Sequence, residues 1–234
     1  MLSGPPARGP NPMLWHHGGV TGPYLFSRTF TLGGGPVRPV EWALAMMEKA
    51  NEAGDWDVTL WTGSFGFPGG TVAWNTFVDS RAALTEQIGK VAGHQGFLQA
   101  AEMGQDYASA PYEDNLRLVV HTTAPAALAR PPISAVAELV TGQPAPGQIQ
   151  AVRTWGVEVA ELYAAITGAP VAFLVDAYGP LGQVTWRAVH ESPAATDEAA
   201  RARDLHRDYQ DAIDDAAKMF LPGSIVRSAL VRVG

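Results

Sequence analysis

The stretch GGTVAWNTFVDS at 69–80 returns as LGQVTWRAVHES at 181–192. Each copy has a glycine, a valine, a tryptophan two residues on, and an acid–Ser pair at its end. Trp74 and Trp186 stand 112 positions apart. Upstream, Val58 of DVTLWTGSFG matches Val171 of PVAFLVDAYG, and Phe65-Gly66 matches Tyr178-Gly179, both 113 apart. One residue is lost in the turn between. A spacing this steady means that one folding unit is present twice, and it constrains the fold more than any local propensity does.

The first unit reads as follows. YLFSRTFTL (24–32) is β-branched and aromatic and stops at Gly33-Gly34-Gly35, which predicts a strand. A helix follows in PVEWALAMMEKANEAG, with Val40, Leu44, Met47 and Ala50 at helical spacing and Gly54 as its stop. DVTLWTGSF and GTVAWNTFV are two strands joined by a Gly/Pro turn, a hairpin signal. Ser80 is placed to cap the next helix, which His94-Gln95-Gly96 interrupts. NLRLVVHT (115–122) closes the unit. The order β-α-β-β-α-β is the split βαβ, ferredoxin-like motif.

In the second unit, ISAVAELVT (133–141) is the expected first strand, stopped by Gly142 as the counterpart of Gly33. A helix over 147–167 carries Ile149, Val152, Gly156, Val159, Tyr163 and Ile166 on one face. VAFLVDAY and GQVTWRAVHE form the hairpin. One long helix is expected from about 194 to 220, with Leu205, Tyr209, Ile213, Ala216 and Phe220 as its apolar stripe and Asp197–Arg201 and Arg207–Asp211 as i,i+4 charge pairs. SIVRSALVRV ends the chain. The expected division is an arm over 1–22, repeats over 23–123 and 133–234, and a linker over 124–132.

A β-α-β-β-α-β sheet carries helices on one face only, so its other face needs a cover. Two such sheets in one chain cover each other, and the linker holds each beside the other at high effective concentration. The fold class is α+β: two tandem ferredoxin-like βαββαβ repeats forming an intramolecular barrel.

On GTVAWNTFVDS, the helix after it and the broken helix KVAGHQGFLQAA, the chain over roughly 24–233 resembles the dimeric α+β barrel superfamily as a tandem fusion. It is most similar to the NIPSNAP-like and antibiotic biosynthesis monooxygenase-like branches. That resemblance implies a barrel protein binding a small apolar or aromatic metabolite, with cofactor-independent tailoring chemistry of the monooxygenase, cyclase or isomerase type, or else a non-catalytic NIPSNAP-like binder or interaction protein. No cofactor is expected, although the superfamily also has a haem-degrading branch, which uses an Asn, a Trp and a ligating His. The monooxygenase branch has an Asn, and four residues on a Trp, in this strand. Here those positions hold Trp74 and Val78 in one copy and Trp186 and His190 in the other.

Composition narrows the partners. With 16 Lys+Arg against 23 Asp+Glu, the net charge of -7 argues against nucleic acid and against an anionic membrane surface. The absence of cysteine excludes disulfides and thiolate chemistry and fits a cytoplasmic setting. The Ala, Gly, Pro and Arg usage resembles that of a GC-rich bacterium. No two histidines stand at i,i+4, so no metal site is expected. TLGGGP lacks a phosphate-loop spacing, and no serine lies in a nucleophile-elbow pattern. A homodimer of tandem chains is open on this reading.

Polar residues inside strands carry the remaining signal, because burying one without a partner costs about 1–3 kcal/mol. They are Arg28, Asn75, Arg117, Asp176, Arg187 and His190, with His121 near a strand end. Strand alternation puts Val72, Trp74, Thr76 and Val78 on one face and Ala73, Asn75 and Phe77 on the other. The second copy divides likewise, Val184, Trp186, Ala188 and His190 against Thr185, Arg187 and Val189. Either face can be the one that meets the helices. His190 is the candidate general base, since its unperturbed pKa lies near neutrality and its counterpart is the inert Val78. Arg187 and Asn75 are candidates to orient or stabilise a substrate oxygen. Trp74, Trp186, Trp61, Tyr178, Arg28 and His121 are candidates to line a ligand pocket.

Overall fold

The computed structural model of the chain describes residues 23–234 except 110, 126, 127 and 129; the expected arm over 1–22 lies outside the described residues. The first half runs β1 (Tyr24–Thr31), α1 (Arg38–Ala53), β2 (Thr59–Gly63), β3 (Thr71–Val78), α2 (Arg81–Gly93), α3 (Gln95–Met103) and β4 (Glu113–Thr122). The second runs β5 (Val136–Gly142), α4 (Ile149–Thr167), β6 (Val171–Tyr178), β7 (Val184–His190), α5 (Pro193–Asp204), α6 (Arg207–Ala216), a 3-10 turn over Ala217–Met219, and β8 (Val226–Arg232). Each half therefore repeats β-α-β-β-α-β, with its last helix in two pieces.

The strands form one closed antiparallel barrel in the order β1-β3-β2-β8-β5-β7-β6-β4. Each half contributes the order 4-1-3-2 of a ferredoxin-like sheet. Two seams join the halves. At one, β2 pairs with β8, Trp61 opposite Arg232 and Gly63 opposite Leu230. At the other, β4 pairs with β6 from Leu116–Tyr178 to Thr122–Ala172, with two register shifts. Closure leaves no sheet edge unpaired.

Alternation along the strands sorts the core into an inner and two outer layers. Leu25, Trp61, Ala73, Ala137, Ala172, Leu174, Val189 and Leu230 fill the barrel. Eight strands enclose just enough width for side chains to do this. Leu128, from the connection between halves, is buried in the same cluster. On the outside, Phe30, Leu60 and Val72 meet Ala43 and Met47 of α1. Val171, Phe173 and Trp186 meet Val152 and Val159 of α4. The tryptophan face of the repeated motif is thus the helix-facing one, and the Asn75/Arg187 face looks into the barrel.

Two expectations need correcting. The span expected to be one long helix is two, broken at Leu205-His206, and Leu205 is 87% exposed rather than part of an apolar stripe. The first half breaks at the equivalent place: His94 caps α3, its Nδ1 accepting from the backbone N–H of Phe97. His206 lies 112 positions on and occupies the same N-cap, without the side-chain bond. The second correction concerns β5. Its expected stop matched Gly142 with Gly33, but the ladders match it with Phe30. Phe30 lies opposite Val72 and Gly142 opposite Val184, which keeps the 112-residue spacing through β1 and β5.

The first helices repeat as well. Trp42 on α1 donates its indole N–H to Ala100 O, and Trp155 on α4 donates to Ala212 O. Each bond ties the first helix of its half to the last. Gly168, with φ 71°, ends α4 in the left-handed conformation that favours glycine.

Candidate functional site

Between the outer face of β5–β7–β6 and helices α4, α5 and α6 lies a cavity of about 380 Å³. Its floor is Val140, Val171, Trp186 and Ala188 from the sheet. Its walls are Trp155 and Val159 from α4, Ile213 and Ala216 from α6, and Phe220. The aromatic rings brace one another. Trp155 and Trp186 meet edge-on at 5.3 Å between centroids, Trp155 and Phe220 at 5.7 Å, and Phe173 backs Trp186 at 5.0 Å. Trp186 is held in place by its N–H, which donates to Gly156 O at 2.8 Å.

The cavity becomes polar where Glu138, Tyr163, Arg203, Tyr209 and Arg227 converge on it. Tyr163 donates its hydroxyl to Glu138 Oε2 at 3.0 Å. His190 Nε2 stands 3.4 Å from that same oxygen and 3.4 Å from the Tyr163 hydroxyl. His190 is 3% exposed and lies behind Glu138 and Tyr163 rather than on the cavity wall. The hydrogen bond from His190 holds the Glu138 carboxyl below its ordinary range against the opposing effect of burial, and Tyr163 and the Arg227 charge add to this. Burial raises the Tyr163 phenol well above its ordinary value, and the neighbouring Glu138 charge raises it further. Tyr163 therefore stays protonated and donating, while Glu138 stays ionised. Burial raises Tyr209 too.

The first half has a smaller cleft of about 110 Å³ in the same place, lined by Phe26, Arg28, Ala50, Trp56, Trp74 and Phe97 among others. Its residues can be matched to the second half by register and helical position. Phe26 stands for Glu138, Ala50 for Tyr163, Val78 for His190 and Val91 for Arg203. Glu138, Tyr163, His190, Arg203 and Tyr209 have apolar counterparts, Phe97 standing for Tyr209, whereas Arg227 matches Asp114, which pairs with Arg28. Phe26 and Val78 pack together with Leu84 and Leu116 instead. The polar group belongs to the second half only.

The structure brings only some of the expected site residues together. Trp186 floors the larger cavity and His190 supports its polar end. Trp74 and Arg28 line the smaller cleft, where Arg28 is held by two bonds to Asp114, at 2.7 and 2.8 Å. Trp61, Asn75 and Arg187 sit inside the barrel, on the opposite side of the sheet from His190. Trp61 is fully buried, donates to Thr59 Oγ1 at 2.9 Å and lies 5.1 Å from the Arg187 guanidinium. Arg117 and Asp176 pair across the β4–β6 seam at 3.0 Å. Tyr178 is exposed and accepts from Arg81, and His121 meets Glu161 at 2.7 Å; neither lines a cavity described here.

Glu138, Tyr163, Arg203, Tyr209 and Arg227 were not among the site candidates read from the sequence, where Tyr163 and Tyr209 figured only as inward-facing helix residues. The signal was present for four of them: carrying the repeat spacing into β5 and the helices matches Glu138, Tyr163, Arg203 and Tyr209 with the apolar Phe26, Ala50, Val91 and Phe97.

No family model matches the chain, and no curated protein matches it. Among solved structures, a protein from Fusobacterium nucleatum provisionally assigned as a monooxygenase is similar over 92% of this chain and 94% of its own, with 11% identity and a TM-score of 0.67. Another provisional monooxygenase, from Lactobacillus acidophilus, covers 89% of this chain and 93% of its own at 13% identity and a TM-score of 0.62. An anthrone oxidase-like protein covers 90% and 91%, at 14% identity and a TM-score of 0.62. At these identities the likeness establishes the tandem α+β barrel fold, which hosts more than one chemistry.

Proposed function

We propose that the chain binds a small, largely aromatic metabolite in the second-half cavity and acts on it by cofactor-independent proton transfer. The observation that carries this reading is the aromatic slot ending in the Glu138–Tyr163–His190 group, absent from the equivalent cleft. A flat ring fits against the aromatic wall that Trp155, Trp186 and Phe220 present to the cavity. An oxygen on that ring reaches the polar end, where Tyr209 and Arg227 favour negative charge as it develops, Arg203 being already paired with Asp204. Glu138, with His190 hydrogen-bonded behind it, accepts a proton from an acidified C–H or O–H of the ligand. The Glu138 carboxylate is a weak base, so the ligand must carry an unusually acidic proton, such as that of a phenol, a 1,3-dicarbonyl or an anthrone-type methylene.

Anthrone is the natural first probe. With dioxygen as oxidant the balanced reaction gives anthraquinone and water. Binding is followed through the fluorescence of Trp155 and Trp186, and turnover through oxygen uptake. Saturable quenching with oxygen uptake that falls at least tenfold in Glu138→Gln is the expected result. Absence of quenching across a panel of anthrones, phenols and 1,3-dicarbonyls would overturn the reading.

One observation favours a second reading, a non-catalytic binder. Glu138, Tyr163 and His190 already satisfy one another. Quenching without turnover of any bound ligand would select it.

A further inference from the structure

Asn75 and Arg187 occupy the same position in the two halves. Asn75 lies opposite Ser27 on β1, and Arg187 opposite Leu139 on β5. Both reach one small void inside the barrel, of about 10 Å³, with Thr59, Thr76, Asp57 and Leu128 also on its wall. That volume admits an occupant of about one non-hydrogen atom.

The void is electrically unusual. Arg187 is 3% exposed, and its Nη1 has no acceptor among the described residues. Burial, and then the Arg117 and Arg232 charges, push its guanidinium down to about 10, so it remains a cation at neutral pH. Neither neighbouring charge relieves it, since both have its own sign. The nearby carboxylates are engaged elsewhere: Asp176 holds Arg117, and Asp57 takes two hydrogen bonds from Arg130. The face of Trp61 offsets only a small part of the charge. A buried cation without a counter-ion is among the most costly arrangements a fold can hold.

Asn75 supplies a second donor. Its Oδ1 accepts from the Ser27 hydroxyl, which fixes the amide and leaves the Nδ2 hydrogens to give. The Thr59 hydroxyl is spent, accepting from Trp61 Nε1 and donating to Asn75 O at 3.1 Å.

We infer that this void binds one monatomic monovalent anion, chloride or bromide, between Arg187 and Asn75. The ion neutralises Arg187 where no side chain among the described residues does. Asp57 is the one acid on the wall, and its pairing with Arg130 reduces its repulsion. The small volume excludes acetate, phosphate and sulfate. The site is made by both halves and lies on the other side of the sheet from the aromatic cavity, so it is independent of the function proposed above.

The test uses the full chain. Crystals grown without halide and soaked in sodium bromide should show an anomalous peak between Arg187 and Asn75. In solution, thermal unfolding is followed as sodium chloride replaces sodium gluconate at constant ionic strength. The melting temperature should climb by about 3–5 °C at a tenfold excess of chloride over its dissociation constant. Sulfate should not reproduce the rise. Arg187→Met, which removes the charge at similar volume, should melt at one temperature in both salts. A water at the position with no bromide signal, or an unchanged chloride effect in Arg187→Met, would overturn the site. The crystal experiment on the unmodified chain decides the question even if that variant does not fold.

Discussion

Trp186 gives its indole N–H to the carbonyl of Gly156, whereas Trp74, its counterpart, has a buried Nε1 with no acceptor among the described residues. The difference lies in the facing helix. Gly156 corresponds to Ala43 on α1, and the missing methyl leaves room for the Phe173 ring that backs the indole. A Cβ built on Gly156 would stand 2.4 Å from the Phe173 ring that backs Trp186. In the first half Ala43 and Leu60, the counterparts of Gly156 and Phe173, share one buried cluster, and the cleft is smaller.

Gly156→Ala should therefore destabilise the protein although alanine is the better helix former. The helical gain is about 1 kcal/mol, and forcing a methyl into a packed ring cluster costs about 1–3 kcal/mol. The net loss, read from urea denaturation, should come with a shifted Trp186 emission. An unchanged or raised midpoint would contradict the packing described.

The Glu138 carboxyl is held below the ordinary carboxylate range, mainly by His190. A depressed acid contributes stability above its unfolded pKa and loses it as pH falls through the folded value. The urea midpoint should thus drop as pH is taken below about 4.5. Glu138→Gln should flatten that part of the curve. An identical acid limb in wild type and variant would show that Glu138 is not the group.

Tyr163→Phe removes a neutral donor from Glu138 and leaves the cavity shape intact. The Glu138 carboxyl should titrate at higher pH, since one of the bonds favouring its charged form is gone. Carboxyl-selective NMR would read the shift. His190→Val, which installs the first-half residue, should raise it further, because His190 is the larger influence.

His206 occupies the N-cap of α6 without making a cap bond, and its Nδ1 is buried with no partner among the described residues. His206→Ser offers a small hydroxyl to the free backbone N–H groups and should raise stability by about 0.5–1 kcal/mol. Leu205→Ala, at an exposed position one residue earlier, should change stability by less than about 0.5 kcal/mol. These two midpoints together test the break in the helix.

The fold was legible because repetition is a global signal. Two copies of one hairpin, each followed by a helix, force the element order; Ser80 makes the expected cap bond, and its counterpart Ser192 makes the same one. The break at His206 was hidden by periodicity: Tyr209, Ala216 and Phe220 do face inward, so a stripe drawn through them runs over the interruption. The site was only half legible. His190 stood out because a histidine in mid-strand demands a partner. Glu138 and Tyr163 sit on elements far apart in sequence, and only the β5–β7 ladder and the α4 crossing bring them beside it. Asn75 and Arg187 looked like members of the same site as His190 because they share its strand or its counterpart. Alternation sends them to the opposite side.

Closure of the barrel through two intramolecular seams also changes what dilution can do. A symmetric pair of half-length chains comes apart as its concentration falls, and every substitution appears in both of its clefts. In this chain the β2–β8 and β4–β6 pairings belong to one molecule. The cleft keeps its shape at any concentration, and a polar group such as Glu138–His190 can be placed in one cleft while the other keeps Phe26 and Val78 at the same positions.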